Sequence, residues 1–274
     1  MSASMRARVP AQTLSKILLE EASLNRTEIM AAAELFAEAR RTGAKRAPLP
    51  AALQPASIDD GHAIQDATVT LLGETIGGWK TGLDKTGAMS RAPIFKRFIY
   101  QTPARMTGSA ALLRGIEAEI AFRFVQDLPA RDSDYSRSEL EQAVEAFAAI
   151  ELLDSRYAEN GPRSTLEKLA DCIVQGGIVC GPARADWRGI DFSKLGVVLT
   201  VDGKEIARNT GSHPTGDPIA PLLALVNALR KTSGVKAGQI VTTGTWTGVN
   251  FVGTDSLAVA QFDGFAPVSV QYVP

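Results

Sequence analysis

Three glutamates stand inside apolar segments of this chain, and they restrict how those segments can pack. Glu117 and Glu119 lie in GIEAEIAFRFV, and Glu151 lies in AFAAIELLDSR. A carboxylate within a mostly apolar strand must face solvent, form an ion pair or bind a cation. If the three converge, they form an all-oxygen site of the kind that hard divalent cations occupy. The short segment GGWKTGL would bring one lysine, Lys80, near such a site.

Side-chain alternation leaves a second interpretation of Glu117 and Glu119 open. Residues two apart in a strand point to the same side, so the even positions from 116 to 124 form an apolar face and the odd positions carry both glutamates. A half-buried strand with one solvent-facing side has the same pattern. Two neighbouring carboxylates repel each other, which favours a bridging cation or a shared proton.

Glu151 also has two interpretations. It interrupts an apolar stretch directly after a predicted helix, and Asp154 and Arg156 follow at once. Charges in such a segment are more often paired than free. Either Asp154 and Arg156 form a structural ion pair while Glu151 faces solvent, or Glu151 joins the other two glutamates.

The composition is that of an ordinary globular protein and argues against several classes of partner. The 274 residues are 45% hydrophobic and 22% charged, and the net charge is −1. A chain with so little net charge gives no indication of a basic surface that would bind nucleic acid or an anionic membrane. No apolar stretch reaches the roughly 18–20 residues needed to span a bilayer, and the first residues lack the apolar core of a signal peptide. We therefore expect a cytoplasmic protein without nucleic-acid or membrane partners.

Cysteine and histidine are too few for the sites that they usually build. Cys172 and Cys180 are eight residues apart and form no CxxC motif, so we expect two buried free thiols. His62 falls in a predicted helix, and His213 falls in a loop rich in Gly, Ser and Pro. With only these two histidines, a His-rich zinc site and a His-dependent catalytic triad are disfavoured.

The composition and the hydrophobic pattern of the sequence change near residue 77. Residues 1–76 are predicted to form a mainly helical part, and residues 77–274 a β-rich catalytic part in which glycine and β-branched residues dominate. Apolar residues at helical spacing predict a first helix within residues 14–22.

Two further helices of the helical part have recognisable ends. Thr27 is the predicted N-cap of one helix, which ends at Gly43 after two arginines. Ser57 is the predicted N-cap of the next helix, which runs to Gly73 and has two aspartates in its first turn.

Short alternating segments with turn signals predict strands in the β-rich part. Asp202-Gly203 and Asp263-Gly264 each separate two such segments. The Asp-Gly pair suits the type I′ turn of a hairpin, so we expect hairpins at both places. QIVTTG is a further predicted strand.

Helices are predicted among these strands as well. A possible capping box of Ser138 and Glu141 predicts a helix through EQAVEAFAA. Asp217 as N-cap, Pro218 as first helical residue and Gly234 just past the end bracket the apolar segment IAPLLALVNALRKTS.

Six segments, taken in order, resemble the fumarylacetoacetate hydrolase superfamily. They are GGWKTGL, IEAEIAF, AIELLDSR, LADCIVQGG, GDPIAPLLALVNAL and VTTGT. The resemblance spans nearly the whole chain and is closest to the branch of 2-keto-4-pentenoate hydratases and 4-oxalocrotonate decarboxylases. It implies an α+β fold, in which a small N-terminal helical part precedes a β-rich roll with packing helices and a metal site in its mouth.

The resemblance also implies the residues of that site. In the family an ExE pair and a third acid bind Mg²⁺ or Mn²⁺, and the matching residues here are Glu117, Glu119 and Glu151. The lysine of the family's G-x-K-x-G-L motif matches Lys80, which would hold a substrate carboxylate or move protons. A desolvated lysine beside a cation has a lowered pKa, so we expect Lys80 to act as an acid or base at neutral pH.

The reaction implied is that of a metal-dependent lyase acting on small 2-oxo or 2-hydroxydienoic acids of aromatic catabolism. We expect a hydratase of the 2-keto-4-pentenoate type. The alternatives are a decarboxylase of the 4-oxalocrotonate type, a C–C bond hydrolase of the fumarylacetoacetate hydrolase type and a catalytically silent relative, because one electron sink serves several reactions. The resemblance further implies a homo-oligomer.

The segments around the substrate depart from the family pattern. The resemblance implies that Leu83, Asp84, Gln175 and Thr245 contact the substrate. The family's ADNASSG reads ADCIVQG here, so Val and Gln replace two small hydroxyl side chains, and K-x-G-L-T-S reads KTGLDK. These departures imply a non-standard substrate. A further hypothesis is that the basic pair Lys96-Arg97 lies at the pocket mouth and receives a second carboxylate.

Overall fold

The computed structural model describes residues 23–107, 113–158 and 164–274. The helix predicted within residues 14–22 lies outside these ranges. Within them the fold is α+β, as predicted, with helices that flank two curled β-sheets. None of the described helices combines the length and the hydropathy that crossing a bilayer requires. The division of the chain between residues 76 and 77 stays a prediction.

The helices of the described ranges are mostly short. The α-helices are α1 (Arg26–Thr42), α2 (Ile58–Leu72), α3 (Arg137–Ala143), α4 (Thr165–Ala170) and α5 (Ile219–Leu229). Single turns of 3₁₀ helix occupy Ala51–Leu53, Lys96–Phe98, Trp187–Gly189 and Phe192–Lys194.

The strands of the described ranges form two sheets. They are β1 (Ile76–Leu83), β2 (Met89–Phe95), β3 (Ile99–Gln101), β4 (Ala104–Thr107), β5 (Gly115–Phe124), β6 (Val144–Leu153), β7 (Gln175–Arg184), β8 (Gly196–Val201), β9 (Lys204–Thr210), β10 (Ile240–Thr242), β11 (Asn250–Phe251), β12 (Leu257–Phe262) and β13 (Val268–Val273). The larger sheet has the order β2-β1-β10-β5-β6-β7-β3, with β11 beside β5, and the smaller sheet has the order β4-β13-β12-β8-β9.

Local signals locate the ends of α1 and α2. Asn25, rather than the predicted Thr27, caps α1: its side-chain oxygen accepts from the backbone N–H groups of Thr27 and Glu28, and the Glu28 carboxylate accepts from the Asn25 N–H. Ser57 caps α2 as predicted, through the N–H of Asp60. Both helices end at glycines in the left-handed conformation, which glycine adopts without a Cβ clash.

The predicted helix through EQAVEAFAA is wrong beyond Ala143. The helix that does form, α3, begins two residues early, with a capping box of Ser136 and Glu139 instead of Ser138 and Glu141. From residue 144 the chain becomes β6, which pairs with β5 on one side and β7 on the other. Pairing on both edges and burial of nearly the whole strand outweigh the strong helix propensity of its Ala and Glu residues.

Both predicted hairpin turns are confirmed. Asp202 and Gly203, with φ of 50° and 77°, join β8 to β9 in the predicted hairpin. The Asp263-Gly264 turn stands between β12 and β13, which pair antiparallel.

Asp217 accepts from the Ile219 N–H at the start of α5. Pro218 is the N-cap residue of α5 instead of its first helical residue, and α5 ends at Leu229, so the predicted end just before Gly234 is wrong.

Both faces of β5 are buried. Its even-numbered residues, the predicted apolar face, belong to the main core together with residues of the smaller sheet. On the odd-numbered face Ala121 packs with Phe147, Ile178 and Ile240. This second burial arises because the larger sheet curls until β2, at one edge, contacts β7 near the other. The face that carries the glutamates therefore lies inside the curl and not against solvent.

A glycine allows the two sheets to approach each other. A Cβ on Gly181 of β7 would lie 2.7 Å from Cγ2 of Val268 in β13 and 2.8 Å from the carbonyl oxygen of Ala148 in β6. We predict that Gly181→Ala lowers the free energy of unfolding by about 1–3 kcal/mol, the usual cost of an overpacked core. Urea denaturation measures it. Gly189→Ala is the control, because no heavy atom lies within 4 Å of its added Cβ; equal effects of the two substitutions would contradict the prediction.

His62 links α2 to β2 and makes the stability depend on pH. Its Nε2 accepts from the Arg91 N–H at 3.1 Å, and burial, followed by the charge of Arg91, lowers the pKa of His62 from 6.5 to about 4. The unfolded chain therefore binds a proton before the folded protein does, and the free energy of unfolding falls as the pH drops from 6.5 towards 4.

We predict that His62→Gln, which keeps an acceptor for Arg91, reduces this loss of stability between neutral and acidic pH. It does not abolish the loss, because burial also lowers the pKa of His213 to about 4. Urea titrations of both proteins at several pH values test the prediction. Parallel curves for the two proteins would show that His62 is not responsible.

Candidate metal centre

The pairing of β5 with β6 brings the three glutamates onto one face. Glu117 lies directly opposite Glu151 in the antiparallel register, and residues that are directly opposite share a face. Glu119 is two residues further along β5 and points the same way. Each of the three offers a carboxylate oxygen, and these oxygens lie within 4.8 Å of one another.

These carboxylates are withdrawn from water. Glu119 is 2% exposed and Glu151 is 1% exposed, while Glu117 is half-buried. Burial, and next the charge of Glu151, raise the pKa of Glu117 to about 7. Burial and the charges of Glu151 and Glu117 raise the pKa of Glu119 well above its ordinary range. The interpretation of these residues as a solvent-facing side of a strand is therefore wrong.

Lys80 comes to the same place from another part of the sheet. It pairs with Thr242 of β10, which in turn pairs with Ala121 of β5. The Lys80 ammonium forms an ion pair with Glu151, and its Nζ donates to the carbonyl oxygen of Ile173 at 2.7 Å.

The glutamates near Lys80 shift its pKa. Burial lowers the pKa of Lys80, but the charges of Glu151 and Glu117 outweigh that effect and raise the pKa above its ordinary value. The expectation of a lowered pKa concerned a lysine beside a bound cation, so it stays a prediction. In the contacts of the protein itself, Lys80 is an ammonium that donates to Glu151 and to the Ile173 carbonyl.

A cavity of about 160 Å³ opens onto the carboxylates. Its lining consists of Lys80, Thr81, Gly82, Ser90, Glu117, Glu119, Glu151, Ile173, Thr242, Gly244 and Thr245. The backbone N–H of Gly244 donates to Oε2 of Glu119 at 3.1 Å, and the hydroxyl of Thr245 hydrogen-bonds to Glu117. Both contacts come from the segment that follows β10, so that segment holds two of the three glutamates in position.

The donor set fits a hard divalent cation. Carboxylate oxygens are the ligands that Mg²⁺, Mn²⁺ and Ca²⁺ prefer. Two buried carboxylates and the half-buried Glu117 face one ammonium here, and burial, followed by the repulsion between the carboxylates, raises the pKa values of Glu117 and Glu119. A bound divalent cation would add positive charge and offset this repulsion.

The charges that follow Glu151 form a separate buried network. Arg156 lies 3.7 Å from Asp154, as the structural interpretation expected, but its closer partner is Asp171, with Nε 2.8 Å from Oδ1. Glu151 itself does not face solvent. It belongs to the cavity with the other two glutamates, and Arg156 belongs to the support behind it.

Of the four predicted substrate contacts, the structure brings Thr245 into the cavity. Leu83 ends β1 outside the lining. The Asp84 carboxylate accepts from the N–H and the hydroxyl of Thr86, at 2.8 and 2.7 Å, and so closes the turn between β1 and β2. Gln175 is buried at the start of β7, and it too is absent from the lining.

The basic pair proposed for a second carboxylate does not reach this cavity either. Arg97 forms an ion pair with Glu74 at 2.7 Å. Lys96 lines a different cavity, beside Ile76 at the other end of β1. The hypothesis that both lie at the mouth of the carboxylate cavity is therefore not supported.

Sequence reasoning missed several lining residues. Thr81 is next to Lys80 in the sequence, and Thr242 lies three positions before Thr245. Proximity to predicted site residues could therefore have identified both as lining residues. The carbonyl of Ile173 carried no signal, because its direction depends on a left-handed backbone that the residue types do not suggest.

Comparison with known proteins indicates the same family as the sequence motifs do. A family model described as fumarylacetoacetate (FAA) hydrolase C-terminal matches residues 91–271. A 2-keto-4-pentenoate hydratase of Paraburkholderia phymatum is 26% identical over 260 residues, which are 90% of this chain and 98% of the relative. A 4-oxalocrotonate decarboxylase of Pseudomonas sp. is 33% identical over 109 residues, which are 38% of this chain and 41% of the relative.

A similar fold occurs in the 4-oxalocrotonate decarboxylase from Pseudomonas putida G7, which was solved with magnesium and adipate. The TM-score is 0.78 at 20% identity, and the match covers 92% of this chain and 99% of that enzyme. This likeness confirms the predicted type of fold.

We predict that a divalent cation stabilises this protein through Glu119. At a Mn²⁺ concentration of about 100 times Kd, the free energy of unfolding rises by about 2.7 kcal/mol for one site. Glu119→Gln keeps the shape of the side chain but loses a ligand charge, so we expect most of this gain to disappear. Thermal unfolding with and without Mn²⁺ measures the gain, and isothermal titration calorimetry measures Kd.

Glu145→Gln is the matched control for this experiment. Glu145 lies on β6 like Glu151, but it pairs with Arg123 at 2.8 Å, away from the cavity. It should keep the full gain from Mn²⁺. A full gain in Glu119→Gln as well would exclude Glu119 as a ligand.

Proposed function

Because this chain belongs to the fumarylacetoacetate hydrolase family, we propose that it is a divalent-metal-dependent lyase of 2-oxo acids, and specifically a hydratase of the 2-keto-4-pentenoate type. The observation that carries this proposal is the convergence of Glu117, Glu119, Glu151 and Lys80 on one small cavity. Its sequence relative of the hydratase type, which it matches over nearly the full length of both chains, supports the same reaction.

Three residues would hold the cation, with Mg²⁺ or Mn²⁺ as the candidates. Glu117, Glu119 and Glu151 supply carboxylate oxygens from two adjacent strands. When bound, the ion supplies Lewis acidity, which draws electron density from the keto oxygen of a 2-oxo acid. Gly244 and Thr245 would keep Glu119 and Glu117 in place through the hydrogen bonds described above.

Lys80 would act as the donor of the site. Its ammonium stands between Glu151 and the carbonyl of Ile173 at the wall of the cavity. Hydration of a conjugated double bond places a hydroxyl group on one carbon and a proton on another. A charged Lys80 can deliver that proton or hold the substrate carboxylate, and it can do neither as a neutral base.

The lining favours a substrate with a single carboxylate. Among the described residues that line the cavity, Lys80 is the only cation, and the others are glutamates, hydroxyl residues, glycines and Ile173. A second carboxylate would meet the charge of the glutamates without a partner, and burying an unpaired charge is costly. The acid 2-keto-4-pentenoate has one carboxylate, whereas 4-oxalocrotonate has two.

Decarboxylation is the second candidate, since a 4-oxalocrotonate decarboxylase is also a sequence relative. Direct assays separate the candidates. The purified protein with Mg²⁺ or Mn²⁺ is given 2-hydroxypenta-2,4-dienoate, 4-oxalocrotonate and an acylpyruvate. A hydratase adds one water to the first, a decarboxylase releases carbon dioxide from the second, and a C–C hydrolase makes two acids from the third. A silent relative gives none of these products.

We predict that Lys80→Met lowers kcat by about 10²- to 10⁴-fold, the usual contribution of a positioned acid or base. Its affinity for Mn²⁺ should be kept or increased, because a cation that competes for Glu151 has been removed. Steady-state kinetics and calorimetry give the two quantities. Undiminished kcat in Lys80→Met would refute the role of Lys80 as donor.

A further inference from the structure

A short left-handed segment lies between α4 and β7, at the wall of the cavity. Cys172, Ile173 and Val174 have φ of 55°, 51° and 50°. Left-handed residues normally occur singly and are mostly glycine, asparagine or aspartate. Two of these three are β-branched, and β-branched side chains are the most disfavoured in this region. Such outliers persist only where the surrounding structure enforces them.

The segment, which we call the 172–174 turn, presents its three carbonyls in different directions. The carbonyl of Cys172 accepts from the Gln175 N–H at 3.1 Å, and the carbonyl of Val174 accepts from the Asp154 N–H at 2.9 Å. The middle carbonyl, that of Ile173, accepts from Nζ of Lys80 at 2.7 Å. The left-handed conformation therefore aims one backbone oxygen at the lysine of the candidate site.

A buried charge network holds both ends of the turn. Asp171, just before it, is fully buried and accepts from the backbone N–H of Arg156 at 2.9 Å and from its Nε at 2.8 Å. The Nη2 of Arg156 reaches past the turn and donates to the carbonyl of Gln175 at 3.0 Å. Arg40 of α1 adds a contact of 3.4 Å to Asp171 from the helical part. One guanidinium thus joins the residue before the turn to the residue after it.

Lys80 has two described partners, and the Ile173 carbonyl is the one that is not a candidate ligand of the divalent cation. The other partner, Glu151, is one of the three candidate ligands. A neutral carbonyl can hold the ammonium at the cavity wall whether or not Glu151 is engaged elsewhere. The position of Lys80 then depends on the backbone of the 172–174 turn.

We propose that Arg156, together with Asp171, is a positioning residue for Lys80: it enforces the left-handed 172–174 turn and so keeps the Ile173 carbonyl in contact with the ammonium. This inference rests on the proposed role of Lys80 as donor. Arg156 does not line the cavity, and its described ion pairs are with Asp154 and Asp171 and not with the three glutamates. Its effect on turnover is indirect and concerns the chemical step rather than the binding of metal or substrate.

The test compares Arg156→Lys with Arg123→Lys. Lysine keeps a positive charge beside Asp171 but lacks the fork that also reaches Gln175. We expect kcat to fall about tenfold or more, since small displacements of a reacting group are costly, with KM and the affinity for Mn²⁺ nearly unchanged. Arg123→Lys alters an ion pair with Glu145 on the same sheet, outside the cavity, and should leave kcat as it is.

A second measurement reports the position of Lys80 without turnover. Acylation by an N-hydroxysuccinimide ester is followed peptide by peptide by mass spectrometry, with the exposed Lys204 as internal reference. Lys80 should react faster relative to Lys204 in Arg156→Lys than in the wild type, because its carbonyl partner has moved. Unchanged labelling of Lys80, with or without a loss of kcat, overturns the proposal.

A pair of turn variants keeps the proposal testable if Arg156→Lys does not fold. Val174→Pro fixes φ near about −65° and so cannot keep the left-handed conformation, whereas Val174→Gly accepts that conformation without a Cβ clash. We expect faster labelling of Lys80 and a lower kcat in the proline variant and wild-type values in the glycine variant. Equal labelling in both variants overturns the proposal. If the wild type turns over no substrate, the proposed function fails, while the labelling comparison still decides whether the turn positions Lys80.

Discussion

Glu117 and Glu151 stand opposite each other across the β5–β6 pair, and this opposition of like charges governs the rest of the site. Directly opposed like charges destabilise a sheet, the more so inside a curl that excludes water. Glu119 adds a third carboxylate, and Lys80 offers a single positive charge. The protein keeps an arrangement that its own groups do not neutralise, which is the behaviour expected of a site built for a divalent cation.

The order of strands explains how the other parts reach these glutamates. β10 lies between β1 and β5, although it comes much later in the chain. By pairing with β1 it carries Lys80 to the cavity, and the segment that follows it supplies the donors at Gly244 and Thr245. On the opposite side, the Ile173 carbonyl accepts from Lys80, and Arg156 and Arg40 both contact Asp171 just before the 172–174 turn. The usual preferences for backbone conformation and for the burial of charge are violated at this site and obeyed at the helix ends and hairpin turns, as is usual for functional sites.

Much of the fold could be predicted from the sequence. The Ser57 cap, the Asp202-Gly203 hairpin and the apolar even face of β5 were correct, because each depends on residues a few positions apart. The helix predicted through EQAVEAFAA was wrong, because β6 obtains partners on both edges from distant strands. The odd face of β5 was open to a solvent-facing interpretation, since alternation does not reveal that the sheet curls over it.

For the site, the sequence by itself determined the residue types, which are three acids and a lysine in segments typical of one family. Through that family it also indicated Mg²⁺ and Mn²⁺ as the candidate metal ions. Tertiary structure alone decided that the acids share one face, that Lys80 forms an ion pair with Glu151, and that Thr245 lines the cavity whereas Leu83, Asp84 and Gln175 do not. The physical reason is range. Caps and turns are settled by neighbours along the chain, whereas burial, ion pairing and the direction of a backbone carbonyl depend on groups brought together only when the sheet closes.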